Sequence, residues 1–341
     1  MGLGNVFSRT WKDYKVNFLM NIKVMLVFYI LPAVLFGGIL IWLAFSSGLF
    51  SDFMDMFGQV TELQTSVVGG TQVEGYDYLQ DMQLRQQKAS ALFFGFLGKA
   101  LWFILLAGVL WILIMFLQYY GYLAIYAPAL KKKGKYGFKD ALRESKPYYW
   151  RTIGLFIILS LVTLGIYFLG IILSIFTFGL GLLAAIVVLI WLMVLWMFAP
   201  FVIVDMNKGV FESLSGSWKI VKGRWWRSFG YVLLVSVIVG AIYYALALIA
   251  GLIGGALFFF SFNDLAYSMP SAGFDGLSSE EQIAQLNNQL SGNYFSELIS
   301  GMIKLVVFIY VITMVYMLFA LPYWLLFVKN SYQEFKKEKR N

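Results

Sequence analysis

The sequence predicts an all-α polytopic membrane bundle of six transmembrane helices. Hydrophobic residues make up 60% of the 341 positions and charged residues only 13%. Soluble domains carry roughly 25% charged residues, so this chain has too few polar side chains to cover a water-facing surface. Six stretches reach the length of about 20 apolar residues that a helix needs to cross a bilayer. A basic, aromatic segment also recurs before pairs of these stretches, which indicates a bundle built from repeated hairpins.

The six apolar stretches are the predicted spans. The charge-free run 152–204 is too long for one helix, so it predicts two helices joined by a turn at Thr177, Gly179 and Gly181. Pro32 lies inside the first span and predicts a kink there. The spans are about 24–44, 100–127, 153–176, 178–204, 231–260 and 305–328.

The charged residues fall into two groups, and this division predicts the orientation of the spans. One group holds 22 Lys and Arg against 7 acids, a net of +15, and the other holds 4 against 11, a net of −7, which together give the +8 of the chain. Because basic loops stay cytoplasmic, we expect a multi-pass protein of the cell membrane with both termini in the cytoplasm. A capping-box pattern at Ser278 predicts a short helix outside the membrane. The basic segments are 1–23, 131–151, 205–227 and 329–341, and the predicted external loops are about 47–96 and 261–297.

A basic, aromatic segment occurs at the start of the chain and again in its second half. Gly2–Phe18 aligns without a gap with Gly209–Trp225, and a shorter third copy begins at Gly137. Each copy comes before two spans, so the pattern predicts three parallel hairpins, unlike the inverted repeats of many transporters. Each hairpin is preceded or followed by a basic amphipathic interfacial helix. The chain is then a single membrane domain, 1–341, with repeat units of about 1–130, 131–205 and 206–341.

The repeated segment has the pattern of a helix that lies in a membrane interface. Two aromatic stripes share one spacing and fall within an arc of roughly 80° on a helix: Leu3, Phe7, Trp11, Tyr14 and Phe18, and Val210, Leu214, Trp218, Val221 and Trp225. Basic residues lie largely outside the stripes, where they can reach anionic headgroups. The alternative is a set of connecting helices that pack on the bundle, because Trp and Tyr concentrate at interfaces in most membrane proteins. The residues predicted to contact headgroups or the interface are Trp11, Lys12, Lys15, Trp218, Lys219, Lys222, Arg224, Trp226 and Arg227.

The residue types exclude several kinds of chemistry. The chain has no Cys and no His, which removes thiol catalysis, disulfides, imidazole bases and the usual transition-metal sites. We therefore expect no enzyme, no metal and no cofactor. No ionisable residue lies near the middle of a span, which disfavours ion-coupled transport. Gln118, Tyr119 and Tyr122 form a polar cluster in the second span, for which helix packing is the expected role and cavity lining the alternative.

Short motifs between about 120 and 260 resemble a known group of membrane proteins. The motifs are Ala127-Pro128, Gly209-x-x-x-Ser213-Leu214-x-x-Ser217-Trp218 and Gly223-x-x-Trp226-Arg227-x-x-Gly230. They are similar to segments of uncharacterised prokaryotic six-span proteins, namely the membrane domain attached to some glycerophosphoryl diester phosphodiesterases and the related YciC-like proteins. The resemblance implies an all-helical membrane domain near lipid or envelope metabolism. It transfers no enzymatic residue, because the acidic and His residues of the phosphodiesterase have no counterpart here.

Two interpretations of the function follow. The first is a non-enzymatic lipid-interacting scaffold or accessory subunit, whose partners are anionic lipids of the cytoplasmic leaflet and not nucleic acid. The second is a transporter or channel for a hydrophobic or neutral substrate, with a pathway between the hairpins. A closed cavity lined by Gln118, Tyr119 and Tyr122 would favour transport, whereas a solid bundle interior would favour the scaffold.

Overall fold

Our computed structural model is all-helical over the residues that it describes, which are 2–53, 76–132, 134–268 and 295–338. Within this part of the chain, six helical segments are long and apolar enough to cross a membrane by length and composition. The chain therefore has the predicted fold class, an all-α multi-pass membrane protein. The six segments are Phe18–Ser46, Phe93–Lys131, Phe138–Phe176, Leu180–Met206, Trp225–Ala256 and Lys304–Glu338.

The described α-helices range in length from 8 to 56 residues. The helices of the first half are α1 (Leu3–Val16), α2 (Phe18–Met25), α3 (Leu31–Ser46), α4 (Tyr76–Lys131), α5 (Phe138–Ser145) and α6 (Tyr149–Phe176). Those of the second half are α7 (Leu180–Trp196), α8 (Ala199–Met206), α9 (Val210–Val221), α10 (Trp225–Ser268) and α11 (Phe295–Glu338).

The helices continue into both predicted external loops. Of the predicted loop 47–96, the part from Tyr76 onward belongs to α4. The second predicted loop, 261–297, loses its first residues to α10 and its last to α11. A hydropathy window detects only the apolar part of a helix, whereas residues such as Gln, Leu, Lys and Ala favour helix in water as well. The short helix predicted at Ser278 lies outside the described residues.

The first span is irregular just before Pro32. Residues Leu26–Ile30 form a π-helical stretch between α2 and α3. Proline lacks an N–H, and its ring crowds the carbonyl four residues earlier, here that of Phe28, so a wider π turn accommodates it. The irregularity lies where the sequence predicts a kink. Next to it, a Cβ added at Gly121 would lie 2.8 Å from Cβ of Phe28, so α4 and the π-helical stretch are in close contact.

The charge-free run splits into two helices at the predicted turn. Residues 177–179 separate α6 from α7, and both Phe178 and Gly179 have positive φ, 48° and 93°. Glycine adopts this left-handed conformation without the steric cost of a Cβ. Thr177 closes the turn, because its Oγ1 accepts a hydrogen bond from the N–H of Gly181 at 2.9 Å. The turn therefore begins at the predicted Thr177, and Gly181 lies in the first turn of α7.

The chain forms two compact units. The first consists of Met1–Pro32, Ile114–Leu246 and Thr313–Asn341, and the second of Ala33–Leu113 and Ala247–Ile312. In the second unit, Lys99 pairs with Asp52 at 2.7 Å. The single domain 1–341 and the boundaries of the three repeat units stay predictions.

The first unit has a tightly packed core formed by α7, the start of α8 and the end of α11. Phe198, Phe327 and Tyr332 are all 0% exposed. The ring centroids of Phe198 and Tyr332 lie 5.8 Å apart, and those of Phe201 and Tyr332 lie 5.9 Å apart. The end of the last helix is therefore buried among the others, although it follows the last apolar stretch and carries many polar residues.

Candidate functional site

Three short helices of the first unit, α1, α5 and α9, have the same buried positions. Gly2, Gly137 and Gly209 directly precede them. The buried residues fall at equivalent places four residues apart: Val6 and Thr10 in α1, Ala141 and Ser145 in α5, and Ser213 and Ser217 in α9. The parallel superposition of three whole units stays a prediction.

The buried faces of these helices carry small hydroxyl residues whose hydrogen bonds are made inside the protein. Oγ1 of Thr10 donates to the carbonyl oxygen of Val6 at 2.7 Å. Oγ of Ser217 donates to the carbonyl oxygen of Leu195 at 2.6 Å and accepts the N–H of Phe198 at 3.2 Å. Since unpaired buried polar groups are costly, these bonds allow polar residues to face the core, and they attach α9 to the junction of α7 and α8.

The predicted aromatic stripe is exposed in its middle and buried near its end. Trp11 and Trp218, which align in the predicted repeat, are 51% and 38% exposed. Tyr14 and Val221, which also align in the predicted repeat, are buried. The ammonium nitrogen of Lys15 lies 4.8 Å from the centre of the Trp11 ring. The stripe therefore flanks the buried face, and its tryptophans stay accessible beside basic side chains.

Tryptophans of α7 and α10 line an open apolar groove, which we call the tryptophan groove. Nε1 of Trp225 donates to the carbonyl oxygen of Trp191 at 3.3 Å. The ring of Trp218 meets that of Trp191 edge-on at 5.6 Å, and Trp226 is 79% exposed. The groove has a volume of about 430 Å³ and is lined by Val187, Ile190, Trp191, Trp225 and Trp226.

Two of the predicted basic residues converge on one carboxylate. Nη1 of Arg227 lies 2.8 Å from Oε2 of Glu338, and Nη1 of Arg224 lies 3.2 Å from the same oxygen. The four predicted lysines, in contrast, have exposed side chains on α1 and at α9: Lys12, Lys15, Lys219 and Lys222. The basic residues predicted to contact headgroups therefore fall into two groups. The lysines are exposed, whereas Arg224 and Arg227 are held by the end of α11.

The sequence Trp150-Arg151-x-x-Gly154 at the start of α6 resembles Trp226-Arg227-x-x-Gly230 at the start of α10. Trp150 is 75% exposed, close to the value for Trp226. Nη1 of Arg151 donates to Oδ1 of Asn207 at 2.7 Å, which is a neutral acceptor at the end of α8. Each arginine therefore ties the start of a span to the end of a later helix, but only Arg227 meets a carboxylate.

The end of α11 contributes a buried ion pair that no sequence pattern predicted. Nζ of Lys329 lies 2.7 Å from Oδ2 of Asp13, and the Lys329 side chain is 3% exposed. Nδ2 of Asn330 donates to Oγ1 of Thr10 and to Oδ2 of Asp13, both at 3.2 Å. These bonds join α1 to α11 across most of the chain.

A second, partly exposed acid, Asp205 at the end of α8, also binds α11. The hydroxyl of Tyr332 donates to its Oδ2 at 2.7 Å, and the ammonium of Lys336 pairs with the same oxygen. Acids in the predicted basic segments form ion pairs with described residues: Asp13, Asp140, Glu144, Asp205, Glu212 and Glu338. An acid inside a basic segment is a sequence signal that could have pointed to such contacts, although it does not identify the partner.

The basic loop before α5 is fixed to α1 by Asn17. Its Oδ1 accepts the N–H of Tyr136 at 3.1 Å, and its Nδ2 donates to the carbonyl oxygen of Gly134 at 3.3 Å. Burial, and then the nearby carboxylate of Asp13, raise the pKa of the Tyr136 hydroxyl. The hydroxyl donates to the carbonyl oxygen of Ile125 at 3.3 Å, so Tyr136 acts as a packing residue.

The polar cluster of the second predicted span packs against neighbouring helices. The rings of Tyr119 and Phe156 are stacked with their centres 3.7 Å apart. Tyr122 meets Tyr29 at 5.2 Å, and the hydroxyl of Tyr29 donates to the carbonyl oxygen of Gln118 at 3.1 Å. The structure brings the three predicted residues together, with Tyr29 as an additional partner, in contacts of the kind expected for helix packing.

Comparisons of the chain with family models, with curated proteins and with solved structures found no match. The resemblance to the phosphodiesterase membrane domain and to YciC-like proteins therefore stays a prediction. Among the described residues, no group of three or more His, Cys, Asp and Glu could hold a metal ion. What the fold and the site define is a multi-pass membrane protein with accessible tryptophans and basic residues on short helices.

Proposed function

We propose that the protein is a non-enzymatic lipid-interacting scaffold or accessory subunit of the cell membrane. The observation that carries the proposal is the pairing of accessible tryptophans with lysines on α1 and α9, two short helices whose opposite faces are buried. A helix of this kind presents one face to the protein and the other to a membrane interface. Its ligands would be anionic lipids on the basic side of the membrane, which we assign to the cytoplasm.

The exposed tryptophans and lysines suit a headgroup layer. Trp11 is half-exposed, with Lys15 against its ring, and Trp218 is flanked in sequence by Lys219. Indole rings favour the headgroup level because they are amphipathic. Each lysine near the surface adds about 1 kcal/mol of attraction to anionic lipid. Together these contacts would hold a shell of anionic lipid around the short helices.

The packed core of the first unit supports a scaffold over the alternative, a transporter or channel for a hydrophobic or neutral substrate. Phe198, Phe327 and Tyr332 are fully buried, and they lie in one cluster with Val6 of α1 and Ile220 of α9. A pathway through this cluster would have to displace all three large side chains. Protein interiors of this kind resist such displacement, because close-packed cores have few voids.

Replacing Lys12, Lys15, Lys219 and Lys222 by Gln is expected to reduce the anionic lipid that the protein retains. The loss should be larger at 0.1 M than at 1 M salt, because the Debye length falls from about 10 Å to about 3 Å. Native mass spectrometry of protein purified in a neutral detergent, with phosphatidylglycerol and phosphatidylcholine in equal amounts, would count the bound lipids.

The matched control removes the same number of charges from the opposite group. Its four changes to Gln are at Arg85, Lys88, Lys99 and Lys304. If both quadruple variants retain the same amount of phosphatidylglycerol as the parent, the short helices are connectors and the lipid proposal is wrong.

Single cysteines are expected to show that the basic segments face the cytoplasm. The chain has no Cys, so each introduced thiol reports one position. In intact cells an impermeant maleimide should label Ser90→Cys, which is exposed in α4, and should label Ser215→Cys in α9 only after permeabilisation. Ser331 would not report on orientation, because it is 0% exposed. Labelling of Ser215→Cys alone in intact cells would reverse the assignment.

A further inference from the structure

We propose that Arg224 and Arg227 form a binding site for the phosphate of an anionic phospholipid, and that Glu338 occupies this site as an internal competitor. The proposal deepens the lipid-interacting function and rests on it. Both guanidinium groups reach one carboxylate oxygen, Oε2 of Glu338, at 3.2 and 2.8 Å. Two converging guanidinium groups match the geometry of a phosphate, which offers several acceptor oxygens.

The arginine pair is held in place by contacts other than the carboxylate. Arg224 donates from Nη2 to the carbonyl oxygen of Glu338 at 3.2 Å and from Nη1 to that of Phe335 at 3.5 Å. Arg227 donates to the hydroxyl of Tyr231 at 3.1 Å and lies 5.4 Å from the centre of the Phe335 ring. Rotation of the Glu338 side chain would therefore vacate the site while these contacts keep both guanidinium groups in position.

The site is accessible and lies next to an apolar surface. The side chains of Arg224, Arg227 and Glu338 are 33%, 39% and 22% exposed. The residues between the arginines, Trp225 and Trp226, line the tryptophan groove, whose volume of about 430 Å³ falls within the roughly 300–1,000 Å³ of ligand sites. A phospholipid would satisfy both parts, with its phosphate on the arginines and an acyl chain in the groove.

Arg151, which aligns with Arg227 in the predicted repeat, differs from it in the charge of its acceptor. Arg151 also binds the end of a later helix, but its acceptor is the amide oxygen of Asn207. A neutral acceptor is enough to tie such an arginine to a helix end. A neutral acceptor would therefore be enough to hold Arg227 to α11. Glu338 adds a negative charge, which the two neighbouring guanidinium groups attract.

The test measures bound phosphatidylglycerol in variants of the whole protein by native mass spectrometry, with phosphatidylcholine as competitor. Removing the competing charge by E338Q should increase retention about fivefold, the equivalent of about 1 kcal/mol. Adding R224Q and R227Q to E338Q should remove that increase. R151Q, the matched control, should leave retention unchanged. Melting temperatures of all variants would show that the proteins remain folded.

Two results would overturn the proposal. If folded E338Q retains no more phosphatidylglycerol than the parent, Glu338 does not compete with lipid. If excess inorganic phosphate displaces the additional lipid as effectively as phosphatidylglycerol vesicles do, the site recognises free phosphate and not a lipid. A failure here is distinguishable from a failure of the lipid-interacting function, because the Lys12, Lys15, Lys219 and Lys222 variant leaves the arginine pair intact.

Discussion

Replacing Asp13 by Asn is expected to lower the melting temperature of the protein by roughly 6–20 °C. Nζ of Lys329 lies 2.7 Å from Oδ2 of Asp13, and the Lys329 side chain is only 3% exposed. Without the carboxylate, a buried ammonium loses its compensating charge, which costs about 3–5 kcal/mol. Each kcal/mol corresponds to about 2–4 °C for a chain of a few hundred residues.

The two partners of this pair should not be equivalent. The Asp13 side chain is 32% exposed, so water can solvate its carboxylate after Lys329→Met, and Asn330 still donates to it at 3.2 Å. Lys329→Met should therefore cost less, about 1–2 kcal/mol. Because Asp13→Asn leaves a charge buried and Lys329→Met removes it, the double variant should be more stable than Asp13→Asn alone. Thermal unfolding in detergent, followed by tryptophan fluorescence, would compare all three.

The matched control is Asp140→Asn. Asp140 also lies in a short helix and pairs with Arg143 at 3.2 Å and with Lys132 at 3.7 Å, but its side chain is 42% exposed. Exposed pairs contribute about 0–1 kcal/mol, so this variant should melt within a few degrees of the parent. Equal melting temperatures for Asp13→Asn and Asp140→Asn would contradict the view that the buried pair holds α1 to α11.

The fold class could be read from the sequence because a bilayer leaves few options. A spanning segment must satisfy its backbone hydrogen bonds internally and expose apolar side chains. Each spanning helix can therefore be recognised in the sequence by its length and hydropathy. The same criterion fails once a helix leaves the membrane. The start of α4 at Tyr76 was predicted as a loop, because a polar helix beyond the bilayer has no hydropathy signal.

Only the exposed face of the short helices could be predicted from the sequence. The tryptophans at 11 and 218 were identified as interfacial because aromatic residues recur at helical spacing, and both are exposed. The buried side of the same helices was missed. Thr10 and Ser217 count as polar in any hydropathy pattern, yet their hydroxyls bond to carbonyl oxygens within the protein. A pattern of residue types cannot show which hydroxyl groups are satisfied in this way.

The ion pairs could not be predicted from the sequence, for a different reason. Asp13 and Lys329 are separated by 316 positions, and nothing local connects them. In a charge-balance argument an acid within a basic segment merely reduces a net charge. In the structure Asp13 and Asp205 instead select particular bases and bring the end of α11 into the core.

Close contact between α6 and α7 produces the second large expected effect, at Gly181. A Cβ added at Gly181 would lie 2.5 Å from the backbone N of Ser174 and 2.7 Å from the carbonyl oxygen of Gly170. Both obstacles are backbone atoms, so no side-chain rotation can relieve the clash. Overpacking costs about 1–3 kcal/mol and occasionally more, and we expect Gly181→Ala to reach the upper end, with a melting temperature lower by roughly 6–12 °C.

Gly165 of α6 provides the matched control, because a Cβ there would meet no atom within 4 Å. Gly165→Ala should be neutral or slightly stabilising, by roughly 0.5–1 kcal/mol, since alanine loses less backbone entropy in a helix than glycine. Gly170→Ala should behave like Gly181→Ala, because its Cβ would lie 2.5 Å from Cβ of Ala185. The comparison separates the contact between α6 and α7 from any general effect of adding a methyl group. If Gly181→Ala and Gly165→Ala have the same melting temperature, the backbones of α6 and α7 do not touch in the membrane-embedded protein.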